Sequence, residues 1–183
     1  MAVVFTGAAA SFRILGAAAT THNLFSIENQ SGSNRLVKIR KLVCQLDATA
    51  ALTAVMPLVK VSRPSSLPTG GTVLSKQAFN TTQSSASQVV IRAASASDGG
   101  SATAITATAG DTIWQQYCMR LHTAAGQVLA LDNSLLPTFI ESTPFILRPN
   151  ESLLVQVVAA AGTSNPNTNH WFVQCVWEED DNI

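Results

Sequence analysis

The chain has 183 residues and eleven basic against eleven acidic side chains, and only 12% of it is charged, about half of what a typical soluble domain carries. All Lys and Arg lie between Arg13 and Arg148, while four of the acids crowd the closing "EEDDNI", so the body is only weakly basic. That excludes the dense basic patch of a phosphate-tracking protein. No stretch of 18 apolar residues offers a membrane span.

From the N-terminus, "MAVVFTGAAASFRIL" lacks a basic start and is a poor secretion signal. Residues 1–21 carry Val3, Val4, Phe5, Phe12, Ile14 and Leu15 among small residues. Burying six such side chains does not offset the ordering of the backbone that holds them. The segment therefore reads as an extended arm that adds to a sheet or lies on a neighbouring subunit.

A sandwich domain is expected over 22–177. Strands are expected over Leu24–Asn29 and Leu36–Leu46, with "NQSGSN" between them as a hairpin loop and Gly32 free to take a positive φ. Within Leu36–Leu46 the apolar phase changes: Val37 and Ile39 are odd, Leu42, Cys44 and Leu46 are even. A β-bulge at or beside Arg40-Lys41 would keep both sets inward; the alternative is a strand buried on both faces at its second half. Arg35, Lys38, Arg40 and Lys41 form a basic ribbon on this strand.

Further strands follow at Val55–Arg63, Gln88–Ala93, Thr143–Leu147 and Ser152–Ala159, with Pro149 and Asn150 making a tight turn before the last. In "TIWQQYCMRLH", Ile113, Tyr117, Met119 and Leu121 share a face. In "NHWFVQCVWE", Trp171, Val173, Cys175 and Trp177 do. Only "TVLSKQAFNTTQ" and "NSLLPTF" could hold a helical turn. The acids Glu178, Glu179, Asp180 and Asp181 close the chain as an acidic tail over 178–183. About eight strands with Gly, Pro, Ser and Asn loops give an all-β fold, a jelly-roll-like β-sandwich.

No chemistry-bearing pattern stands out. There is no nucleophile elbow and no phosphate loop. His22, His122 and His170 have no ligand-spaced partners. Cys44, Cys118 and Cys175 read as buried thiols of a reducing compartment. No enzyme activity, cofactor or metal is expected, and no catalytic residue is assigned. Trp114, Trp171 and Trp177 suit a core or interface, or a sugar-stacking platform.

The segments "IENQSGSNRLVKIRKL", "LLPTFIESTPFILRPNESLLVQV" and "NHWFVQCVWEED" resemble the small jelly-roll structural proteins of tailed bacteriophages, in particular the cement or decoration proteins of the capsid. That resemblance implies a homotrimer seated near three-fold axes, bound to the major capsid protein in the virion and without catalysis. It implies synthesis in a host cytoplasm. Under it, the arm residues and the basic ribbon become partner-binding residues. The acidic tail of an adjacent subunit is then one candidate for the ribbon's counter-charge. A carbohydrate- or receptor-binding sandwich using the tryptophans is the alternative.

Overall fold

Alternation of apolar and polar residues runs through the chain, and the chain responds with strands. The computed structural model describes residues 3–13, 21–48, 58–80, 87–94, 104–108, 110–117, 144–158 and 169–180. They form β1 (Val3–Arg13), β2 (Thr21–Asn29), β3 (Leu36–Ala48), β4 (Leu58–Arg63), β5 (Thr69–Gly70), β6 (Thr72–Val73) and β7 (Gln77–Ala78). Then come β8 (Val89–Ala93), β9 (Ile105–Thr106), β10 (Asp111–Tyr117), β11 (Phe145–Leu147), β12 (Glu151–Val158) and β13 (Asn169–Asp180). Among the described residues there is no helix.

The strands make two principal antiparallel sheets and one small ribbon. Five strands run in the order β11-β3-β13-β1-β7 and six in the order β10-β4-β12-β2-β8-β6, while β5 pairs with β9 alone. The two large sheets bury one common core, with Phe25, Ile27, Ile91, Leu153 and Val155 from one side and Phe5, Ile39, Leu42, Trp171 and Trp177 from the other. The fold is an all-β sandwich. Its principal strands change sheets at nearly every connection, so the turn at residues 30–35 is no hairpin. It carries the chain from β2 in one sheet to β3 in the other, closed by Ser33 N–H donating to Gln30 O at 3.0 Å. Gly32 does not take a positive φ there.

The tight turn at Pro149-Asn150 is another such corner. Asn150 sits at φ 67°, and Glu151 N–H donates to Arg148 O at 3.0 Å. An Asn tolerates that left-handed backbone better than most side chains. The stretch around residues 72–78 holds two short edge strands, β6 and β7, instead of a helical turn.

The bulge falls where the phase change demands it. Val176 pairs with Lys41 and Trp177 with Ile39, so Arg40 is the extra residue of β3. Val37, Ile39, Leu42 and Cys44 are all buried as a result. A second bulge in β10 works against the expected face. The register slips between Thr112 and Trp114, which leaves Ile113 exposed and packs Trp114 against the core.

The N-terminal segment corrects the arm reading. Residues 3–13 are an inner strand of the five-stranded sheet, paired to β13 from Val3 opposite Glu179 to Arg13 opposite His170. Val3 and Phe5 belong to this chain's own core. The cost of ordering the segment is met by a ladder of main-chain hydrogen bonds along β13 together with side-chain burial. Residues 14–20, with Ile14 and Leu15, lie outside the described residues. So does Asp181.

Candidate partner interface

The face of the five-stranded sheet that looks away from the core gathers Val4, Lys38, Arg40, Glu178 and Asp180 of the residues singled out in the sequence. Because Val3, Phe5, Trp177 and Glu179 point inward, Val4, Glu178 and Asp180 point outward. The register lines up Ile146 of β11 with Lys38 of β3, Lys38 with Glu178 of β13, and Glu178 with Val4 of β1. Phe79 stands next to Val4 and donates its N–H to Val4 O at 2.9 Å.

Charges occupy the middle of this row. Lys38 Nζ lies 3.0 Å from Asp180 Oδ2 and 3.9 Å from Glu178 Oε1. Arg40 Nε donates to Glu178 Oε2 at 2.8 Å, and its second nitrogen reaches the same oxygen. The bulge turns Arg40 toward that carboxylate. The ribbon therefore does meet the acidic residues, but those of its own chain. Glu178 to Asp180 are part of β13 and do not form a free tail, because alternation across the β3–β13 pair brings opposite charges face to face. Lys41 is exposed.

Glu179 points the other way and is buried, at 1% exposure. Its carboxylate accepts from Arg35 at 3.0 Å, from Trp177 Nε1 at 3.1 Å and from Gln88 N–H at 3.1 Å. The Ser87 hydroxyl also donates to it. The acid thus joins the end of β13 to the residues that enter β8 in the opposite sheet. Nearby, burial pulls the Lys76 ammonium below its usual value, opposed by the charge of Glu179. Lys76 Nζ donates to Val89 O at 2.6 Å and Ser87 O at 3.2 Å.

Among the candidate partner residues, then, Val3 and Phe5 are core, and Arg35, Lys38 and Arg40 are paired internally with Glu178, Glu179 and Asp180. Val4 and Lys41 remain on the surface, and nothing is described of the Phe12 side chain. Sequence reasoning missed Val73, Phe79 and Ile146, all exposed large apolar residues. Phe79 was legible as an aromatic in a polar stretch, "KQAFNTT", but its exposure depends on β7 being an edge strand. Trp171 and Trp177 are buried and Trp114 packs on the core, so the three offer no sugar-stacking platform.

Among the described residues no group of three or more His, Cys, Asp or Glu could hold a metal ion. Burial raises the thiol pKa of Cys175, which leaves it a poor nucleophile. Compared with known proteins, the chain matches no family model, no curated protein and no solved structure.

Proposed function

We propose that the chain is a structural virion protein, a homotrimeric cement or decoration protein that binds the outer surface of a tailed-phage capsid through its major capsid protein. One observation carries the self-association. The exposed large apolar residues among those described are Val4, Val73, Phe79, Ile113 and Ile146, and they fall on the two lateral sides of the sandwich. Val73 on β6, Phe79 just past β7 and Val4 on the adjoining strand mark one side. Ile113 on β10 and Ile146 on β11 mark the other. A body with apolar patches on opposite sides associates head to tail, and a closing rotation makes a ring.

Two further features agree with the reading. Setting aside β6, β7 and β8, the sheets run β1-β13-β3-β11 and β2-β12-β4-β10, an order that supports taking the sandwich as a jelly roll of eight strands. Lys38 and Arg40 of the outer face are paired within the chain with Glu178 and Asp180, which suits this face to lie on another protein without a large charge penalty.

Light scattering of the purified protein is expected to give three times the 19.3 kDa of one chain, and Phe79→Asp or Ile113→Asp is expected to return it to monomers. Mass spectrometry of purified particles from the source is expected to find the protein at a fixed ratio to the major capsid protein. A monomer at micromolar concentration sinks the trimer. Absence from the particles sinks the capsid role.

A further inference from the structure

The six-stranded sheet has an unusual outer face. On strands whose other side is apolar core, it presents Asn23, Ser26 and Glu28 of β2, Ser62 of β4, Arg92 of β8, and Ser152 and Gln156 of β12. Leu154, Val90 of β8 and Val73 of β6 are the apolar residues on the same face. Ser26, Glu28, Ser62, Ser152 and Leu154 are nonetheless buried. A sheet face of this composition is one that water normally covers.

The small β5–β9 ribbon is fastened to this face by side chains of the sheet. Asn23 Nδ2 donates to Ile105 O at 2.8 Å, and Asn23 is itself held by Gln156 at 2.8 Å. Arg92 donates from one terminal nitrogen to Gly70 O at 3.1 Å and from Nε to Glu28 Oε1 at 2.9 Å. Glu28 also accepts from Ser26 at 2.7 Å and Gln30 at 3.4 Å. At the exit of β5 the chain passes through Gly70 and Gly71 at φ 69° and 65°, a backbone that other residues rarely adopt. A Cβ on Gly70 would strike Ala104 O.

We propose that the β5–β9 ribbon is a strap that lifts from the six-stranded sheet as a unit, with Gly70-Gly71 as its hinge and Arg92, aimed by Glu28, as its latch. Three facts support it. Most of the side chains beneath it, Asn23, Ser26, Glu28, Arg92 and Gln156, are polar groups that water can solvate. Among the described residues the attachments are the hydrogen bonds of Asn23 to Ile105 O and Arg92 to Gly70 O, with the buried side chains of Ile105 and of Pro68 at the entry to β5. The ribbon's own link, Gly71 N–H to Ala104 O at 3.0 Å, survives lifting. Opening would then expose a carboxylate, a guanidinium and two amides on one flat face while the sandwich stays folded.

Native-state thiol labelling tests this on the full chain. The thiol introduced by Ser26→Cys lies on the strapped face, and Cys175 in the core serves as the internal standard for global unfolding. Under native conditions the Ser26→Cys thiol is expected to react with methyl methanethiosulfonate far faster than Cys175, at a rate insensitive to low urea. Adding Arg92→Ala is expected to accelerate it by about tenfold to a hundredfold, the worth of a hydrogen bond involving a charge, with Cys175 unchanged. Asn23→Ala gives the same readout if the Arg92 variant does not fold. Equal labelling of the two thiols, or no acceleration in either variant, overturns the proposal.

Discussion

Phe5 stacks on Trp177, with ring centroids 5.9 Å apart and planes 19° from parallel. One ring comes from the first described strand and the other from the last, so the packing that defines the core joins the two ends of the sequence. Phe5→Ala is expected to destabilise the fold by about 3–5 kcal/mol, read as a shift in the urea midpoint at a protein concentration where association is held constant. A midpoint unchanged from the parent would mean that β1 is dispensable to the core.

Neighbouring acids of β13 are expected to differ sharply. Glu179 has a fully buried side chain beside Arg35, so Glu179→Ala removes the acceptor shared by Arg35, the Trp177 indole N–H and the Gln88 N–H and is expected to cost about 3–5 kcal/mol. Asp180 and Lys38 are each about a quarter exposed, and Asp180→Ala is expected to cost less than about 1 kcal/mol. Comparable losses in chemical denaturation would contradict this placement of the two acids.

The bulge makes a prediction of its own. Arg40→Ala keeps the extra residue and removes a surface ion pair, which is expected to cost about 1 kcal/mol or less. Deleting Arg40 removes the extra residue and leaves Val37, Ile39, Leu42 and Cys44 in one unbroken inward alternation, with Ile39 still opposite Trp177 and Leu42 opposite Cys175. Near-UV circular dichroism is expected to retain its tryptophan bands in both variants. A deletion variant that loses them would show that the bulge does more than reconcile the two phases.

Glu28 sets a pH dependence. Burial raises its pKa above the ordinary 4.5, and hydrogen bonds from Ser26, Arg92 and Gln30 with the charge of Arg92 only partly oppose this. The folded state then holds the proton more tightly than the unfolded chain. This group's contribution is therefore most favourable at low pH and declines as pH rises from 4.5 through the raised value. Measured against Glu28→Gln, the parent's stability is expected to fall across that window and level off above it. A difference that grows with pH would reverse the sign and place the carboxylate in a stabilising field.

Much of the strand content was legible because period-two patterning is local. The inward set Trp171, Val173, Cys175 and Trp177 is buried as its alternation suggested. The phase change at Arg40-Lys41 was enough to locate a bulge, since an apolar face that changes parity must gain or lose a residue. Other features depend on partners far away in sequence. The N-terminal segment reads as an arm when only its side chains are weighed, because β13, its partner some 170 residues on, is invisible to local pattern. Likewise "EEDD" reads as a solvated tail until the register sets Glu178 against Lys38 and turns Glu179 inward. Ile113 misled for the opposite reason: its neighbours alternate well, and only the pairing with β4 reveals the slip beside it.

Because β13 lies between β3 and β1, the five-stranded sheet has a gap at its middle until the last described strand exists. During synthesis β1 and β3 leave the ribosome without their long common partner; β7 and β11 offer them only two- and three-residue ladders beforehand, and their apolar faces wait for β13 through more than a hundred further residues. Such long-range closure predicts slow folding and a vulnerable nascent chain, in which ribosome-bound fragments ending before Asn169 are bound by chaperones or aggregate. Stalled chains of increasing length should show protease resistance appearing abruptly once residues 169–180 have cleared the exit tunnel.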